Sequence, residues 1–115
     1  MVVDQLDQES VDRIFAALAD ATRRDIVTRV MAGESSVSAL ARNYEMSFAA
    51  VQKHVAVLER ARLVSKERRG REQIVRGDVG TVRAAVRLLG EIEELWRARI
   101  GRLDDLLAAP GGDAR

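Results

Sequence analysis

The chain has 115 residues, the size of one domain, and 47% of them are apolar, enough to bury a core. Aromatics make up only 3%, so that core is built mostly from Val, Leu, Ile and Ala. The absence of cysteine excludes disulfides, thiolate metal sites and cysteine nucleophiles together, and a net charge of +1 points to no class of partner by itself.

Met1 to Ser10 is acidic and lacks the basic-then-apolar order of a signal peptide, so the expected location is the cytoplasm. No segment approaches the roughly 20 apolar residues that span a bilayer, and no membrane partner is expected. Val11, Ile14, Phe15 and Leu18 fall at i, i+3, i+4 and i+7 and predict a first helix. A second starts at Asp20, a good N-cap, carries Ile26, Val27, Val30 and Met31, and can end at Gly33. A third runs from about Ser36 through Val37, Leu40, Ala41 and Tyr44, with Ser36 or Ser38 as its cap. Glu45-Met46 then makes a short turn, and Ser47 opens a fourth helix with Val51, Val55 and Leu58 inside. Two helices joined by so short a turn cross steeply, which is the helix-turn-helix arrangement.

After Leu63 the period changes. Residues 63–68 and 72–76 read as two short strands, with Gly70 supplying the turn between Arg69 and Arg71. A hairpin placed there is a wing. The run Gly77-Asp78-Val79-Gly80 breaks the strand, and Asp78 or Thr81 caps a long last helix. Its stripe is Val82, Val86, Leu89, Ile92, Trp96, Ile100, Leu103 and Leu107, close to a coiled-coil seam. One small domain cannot cover such a stripe, so part of it is expected to meet a second subunit. The expected dimer residues are Val11, Ile14, Phe15 and Leu18 at one end, and Leu89, Ile92, Trp96, Ile100, Leu103 and Leu107 at the other. The fold class expected is mainly α with a small β-hairpin: a winged helix-turn-helix of about five helices and a two-stranded wing. It occupies residues 1–109, with 110–115 a disordered tail.

Charge is unevenly spread. From Lys53 to Arg76 there are eight Lys/Arg against three Glu, a local charge of +5 that leaves −4 for the rest. Such a patch is the footprint of a DNA-contact surface, the alternative being a solvated charged face. On a wheel of 100° per residue, Ala49, Lys53, Ala56 and Arg60 lie opposite the inward set, with Gln52 toward the same side. Small Ala residues admit the backbone to a groove, Gln52 can pair with adenine, and Lys53 can reach guanine or phosphate. Ser47 caps the helix and is a candidate phosphate contact. Arg68, Arg69 and Arg71 at the wing suit a phosphate backbone or a minor groove. His54 is the sole histidine and sits at the border of the two faces, as does Phe48. A phosphate contact and a structural hydrogen bond are equally open for it, and it has neither a metal-site nor a catalytic companion. Phe48 and Trp96 read as a boundary core residue and a dimer-core residue.

The string Ala17-Leu18-Ala19-Asp20-Ala21-Thr22-Arg23-Arg24 resembles the second-helix entry of the ArsR/SmtB family of bacterial repressors. So do residues 47–59, from Ser47 to Glu59, followed by Ala61-Arg62-Leu63-Val64. The usual entry has Pro where this chain has Ala21. The resemblance implies a dimeric winged helix protein with helices from both chain ends at the dimer contact, whose DNA affinity usually falls when an effector binds. Many members carry a Cys-x-Cys pair that aligns with Ser36 and Ser38 here, and a second family site uses His and Asp on the last helix, which has no His. Serine hydroxyls bind soft metals poorly, so no metal or other cofactor is expected. Glu91, Glu94, Asp104 and Asp105 lie among arginines and read as solvated ion pairs.

The function this implies is a double-stranded DNA-binding regulator, a repressor acting as a homodimer on an inverted repeat. The alternative is a winged helix module that docks an acidic protein. An enzyme has little support, with no Cys, one His and no Gly-rich phosphate loop. The effector and the operator are not legible in the sequence.

Overall fold

The structure, a computed structural model, describes residues 7–108. The tail expected over 110–115 lies outside the described residues. Five helices and three strands follow in the order α1 (Gln8–Ala17), α2 (Ala21–Ala32), β1 (Ser35–Ser36), α3 (Val37–Ala41), α4 (Phe48–Arg60), β2 (Val64–Arg69), β3 (Glu72–Gly77) and α5 (Val79–Ala108). The chain divides after Ala85 into two compact units, a boundary the sequence reading did not draw.

Each helix of the first unit begins at a short polar side chain that satisfies an orphan backbone donor. Asp7 accepts from Ser10 N, Asp20 from Arg23 N, Ser36 from Ala39 N and Ser47 from Ala50 N, at 2.7–3.1 Å. Asp78 does the same for α5, accepting from Gly80 N and Thr81 N. The end of α1 is closed from outside. Arg23 donates to the carbonyls of Ala17 (2.7 Å) and Ala16 (3.2 Å), and Arg24 donates to that of Leu18 (2.8 Å). Cations at a helix C-terminus also suit its dipole, which gives the Arg23-Arg24 pair a structural task.

The core of this unit is aliphatic. Ile14, Ile26, Leu40, Val51, Val55, Leu58, Leu63 and Val75 are its largest fully buried side chains. They come from all of α1–α4, from the end of α4 and from β3, so burial fixes how α4 is held.

Two expectations about this region are revised. The third helix stops at Ala41 rather than Tyr44. Asn43 Nδ2 donates back to the carbonyls of Ala39 and Leu40. Tyr44 turns to α2, where its hydroxyl donates to Asp25 Oδ2 at 2.6 Å and its ring lies 5.9 Å from the Arg29 guanidinium. Burial, and then the Asp25 carboxylate, push the Tyr44 hydroxyl up to about 12. A six-residue connection, 42–47, therefore precedes α4 in place of a two-residue turn.

The wing also has a third strand. The sheet order is β1-β3-β2, antiparallel throughout, with Ser35 opposite Val75 and Ser36 opposite Ile74. Strands β2 and β3 pair from Val64–Gly77 to Arg69–Glu72, so the turn is just Gly70-Arg71. Gly70 has φ +65° while Arg71 is not in the left-handed region, the pattern of a type II′ hairpin. The other tight junction is at the end of α4. Leu63 N donates to Leu58 O and Arg62 N to Glu59 O, a Schellman closure in which Arg62 takes φ 63° without being glycine.

In the second unit, the α5 residues from Val86 to Ala108, no residue is buried. Among the described residues no helix is long and apolar enough to cross a membrane.

Candidate nucleic-acid interface

Helix α4 separates cleanly into faces. Val51, Val55 and Leu58 are buried, whereas Phe48, Ala49, Gln52, Lys53 and Arg60 are exposed and Ala56 is half-buried. Of the outward set on the wheel, Ala49, Gln52, Lys53 and Arg60 face solvent, whereas Phe48, expected as a boundary core residue, is 47% exposed because it sits in the first turn of α4, outside the buried row of Val51, Val55 and Leu58. The Ser47 hydroxyl is engaged in the N-cap, and the free N–H groups of the first turn sit beside it, a geometry that suits an anion. The side chains of Lys53, Arg60, Arg68 and Arg71 make no hydrogen bond or ion pair among the described residues.

His54 is turned away from that face. Its Nδ1 lies 3.3 Å from Arg23 Nη1 and 3.9 Å from Asp20 Oδ2, and its side chain is largely covered. A guanidinium only donates, so Nδ1 accepts and the neutral ring carries its proton on Nε2. The structural hydrogen bond, one of the two roles open from sequence, is present at Nδ1.

The wing arginines do not act alike. Alternation along β2 puts Arg68 on the sheet face of Val64 and Val75, which join Val55 and Leu58 of α4 in one core. Arg69 points to the opposite face. There it donates to Glu34 Oε2 (2.8 Å) and Glu67 Oε1 (3.1 Å), while Arg76 donates to Glu34 Oε1 (2.8 Å) and pairs with Glu67 Oε1 (3.0 Å). The two guanidiniums hold the Glu34 carboxyl down to about 2. Lys66 is paired with Glu59 at 3.4 Å. The basic window therefore contains neutralised cations and available ones, and the available ones include Lys53 and Arg60 on α4 with Arg68 and Arg71 on the wing. The sequence grouped Arg68, Arg69 and Arg71 as one tip. Strand period would have separated Arg68 from Arg69, but the partner Glu34 lies 35 residues away and left no local signal.

The expected dimer residues are also divided. Ile14 is 1% exposed and belongs to the head core, so its side chain offers no surface. Val11 and Leu18 are half-buried, with Leu18 packed on the same core, and Phe15 is exposed. Leu89, Ile92, Trp96, Ile100, Leu103 and Leu107 are all exposed, Trp96 at 58%. Leu95 and Leu106, which the sequence reading left out, are exposed beside them.

Among the described residues no three His, Asp or Glu side chains form a group able to hold a metal. Ser36 Oγ is used to cap α3. A shallow open groove of about 230 Å³ beside α4 is lined by Arg13, Arg23, Arg60, Val57 and alanines, and offers no acid, histidine or hydroxyl.

Comparison with known proteins extends this geometry. The family described as bacterial regulatory protein, arsR family, matches residues 20–66, from the α2 cap into β2. The HTH-type transcriptional regulator Rv2034 of Mycobacterium tuberculosis is 36% identical over 104 residues, covering 90% of this chain and 94% of its own. Among solved structures, an ArsR family transcriptional regulator is 32% identical with a TM-score of 0.75, over 80% of this chain and 95% of that one. An ArsR-like transcriptional regulator from Rhodococcus sp. RHA1 is 30% identical with a TM-score of 0.74, over 87% and 93%.

Proposed function

The chain belongs to the arsR family of bacterial regulatory proteins, and from that premise we propose that it represses transcription as a cytoplasmic homodimer reading an inverted repeat in double-stranded DNA. Its family comprises transcriptional regulators built on a winged helix-turn-helix domain, not enzymes. The observation that carries the finer reading is the placement of Gln52, Lys53 and Arg60 on the open face of α4 and of Arg68 on the α4 side of the wing, their side chains without partners among the described residues. Gln52 and Lys53 read base edges, and Arg68 and Arg71 hold phosphate.

Two copies supply the two half-sites. The exposed stripe of α5, Leu89 to Leu107, has the three-and-four spacing of a helix seam and needs a second apolar face. A two-fold dimer then sets half-sites one helical turn, about 10 bp, apart or a multiple of it. Soft metals are not the signal on this reading, because Ser36 and Ser38 replace thiolates; calorimetry with zinc, cadmium or arsenite is expected to give nothing tighter than about micromolar.

Fluorescence anisotropy over a salt series tests the division of labour. Gln52→Ala or Lys53→Ala should change preference among operator variants, by about 1–3 kcal/mol at particular base pairs. Arg71→Ala should weaken all duplexes nearly alike and flatten the salt dependence. If neither set matters, the basic face is solvated surface and an acidic protein becomes the partner to test.

A further inference from the structure

Arg69 and Arg76 have a feature that a DNA-binding arginine does not need: each already bridges two carboxylates. The sheet explains why. The β1–β3 register, extended by one rung, sets Glu34 opposite Arg76 on the central strand. The β2–β3 register sets Glu67 diagonal to Arg76 and two residues from Arg69, all on one face. Three of the four groups are therefore placed by strands that are paired anyway, and Glu34 is placed by the two-residue strand that follows it. Little entropy is left to lose in closing the ring. An isolated exposed ion pair contributes little, but four groups sharing their partners on a rigid sheet form a network.

We infer that Glu34 is a wing-positioning residue: with Glu67 it keeps Arg69 and Arg76 off the phosphate backbone and ties the hairpin to the α2–α3 connection, leaving Arg68 and Arg71 as the wing's DNA contacts. The inference rests on the DNA-binding reading above. Its geometric basis is the side of the sheet. Helix α4 shares a core with Val64 and Val75, the face that also carries Arg68, whereas the Glu34–Arg76–Glu67–Arg69 ring lies on the other face. A duplex seated on α4 meets the first face. Two guanidiniums that would otherwise repel each other on the hairpin are neutralised by the carboxylates, and both strands of the hairpin are tied to Glu34 through Arg69 and Arg76.

Arginine side-chain NMR on the full chain, free and with a bound duplex, tests this. In the free protein the guanidinium N–H groups of Arg69 and Arg76 should give resolved, slowly exchanging signals, and Glu34→Gln should broaden them. On adding duplex, Arg68 and Arg71 signals should shift while those of Arg69 and Arg76 stay in place. In anisotropy, Glu34→Gln should weaken binding several-fold through loss of wing position. The double variant Glu34→Gln with Arg69→Gln, which leaves net charge unchanged, should keep more of the wild-type salt slope than Arg71→Gln, which should lose about 0.9 per phosphate contact. Tighter binding with a steeper salt slope in Glu34→Gln would overturn the inference, because it would make Glu34 a competitor for an arginine that binds phosphate. A shift of Arg69 in a duplex that binds would overturn it alone, whereas failure of any duplex to bind would overturn it together with the DNA-binding reading.

Discussion

The head formed by residues 7–85 and the helix from Val86 to Ala108 are both amphipathic, and they end in opposite states. In the head, Ile26, Val51, Val55 and Leu58 lie within a sealed aliphatic core. In the helix, Leu89, Ile92, Leu95, Trp96, Ile100, Leu103, Leu106 and Leu107 keep about two-fifths to three-quarters of their surface in water. The apolar periodicity is the same kind of signal in both places. What differs is burial within each unit taken by itself. Covering such a row would take apolar surface out of water, worth about 25 cal/mol for each Å² before the costs of association, and on the proposed reading the helix is where a second copy would do so.

The largest expected effects separate those two roles. Leu103→Glu should convert the dimer to monomer in sedimentation, with operator affinity falling about 10²-fold or more as the two half-sites lose their linkage, while the head keeps its helical circular dichroism. Leu58→Ala should do the reverse. It removes a fully buried side chain and should cost about 2–5 kcal/mol in urea unfolding, with the folded fraction assembling as before. A stable wild-type monomer at micromolar concentration would break the comparison at once.

Smaller effects sharpen it within the head. Tyr44→Phe removes the 2.6 Å bond to Asp25 and should cost about 1 kcal/mol. Ser47→Ala removes the α4 cap and should cost about 0.5–2 kcal/mol, with the loss felt at the start of the reading helix. The smallest is a pH effect. Glu34 is held at about 2 against its ordinary 4.5. A carboxyl lowered on folding contributes stability above its unfolded value and loses it as pH falls through the folded one. The stability gap between the wild type and Glu34→Gln should therefore be full near neutrality and close between about pH 4.5 and 2. A gap that persists unchanged to pH 2 would mean that the Arg69 and Arg76 contacts do not hold the carboxylate.

Local chemistry was legible where it acts locally. Asp20 and Ser47 were recognisable as caps because the bond each makes spans three residues. The inward face of α4 and the turn at Gly70 followed from period and from the freedom of glycine at φ +65°. The features that escaped depend on distant partners or on an uncommon backbone. Tyr44 fitted helical spacing, yet its hydroxyl is claimed by Asp25, 19 residues earlier. Strand β1 is two serines long and exists only through its pairing with β3. Arg62 closes α4 in a conformation that sequence rules reserve for glycine. Ile14, expected at a dimer contact, shares helical spacing with Val11, Phe15 and Leu18 but is buried in the head core, a difference that spacing along one helix does not reveal.

On the proposed reading a dimer of this chain reads two half-sites through α4. Selection of bound fragments from genomic DNA with the full-length protein tests it most directly. An enriched inverted repeat is expected, its half-sites about 10 bp apart, or a multiple of that spacing, centre to centre, with recovery lost in Lys53→Ala and Leu103→Glu. Enrichment of a single unrepeated half-site would contradict the dimer, and no enrichment above random fragments would contradict sequence reading by α4.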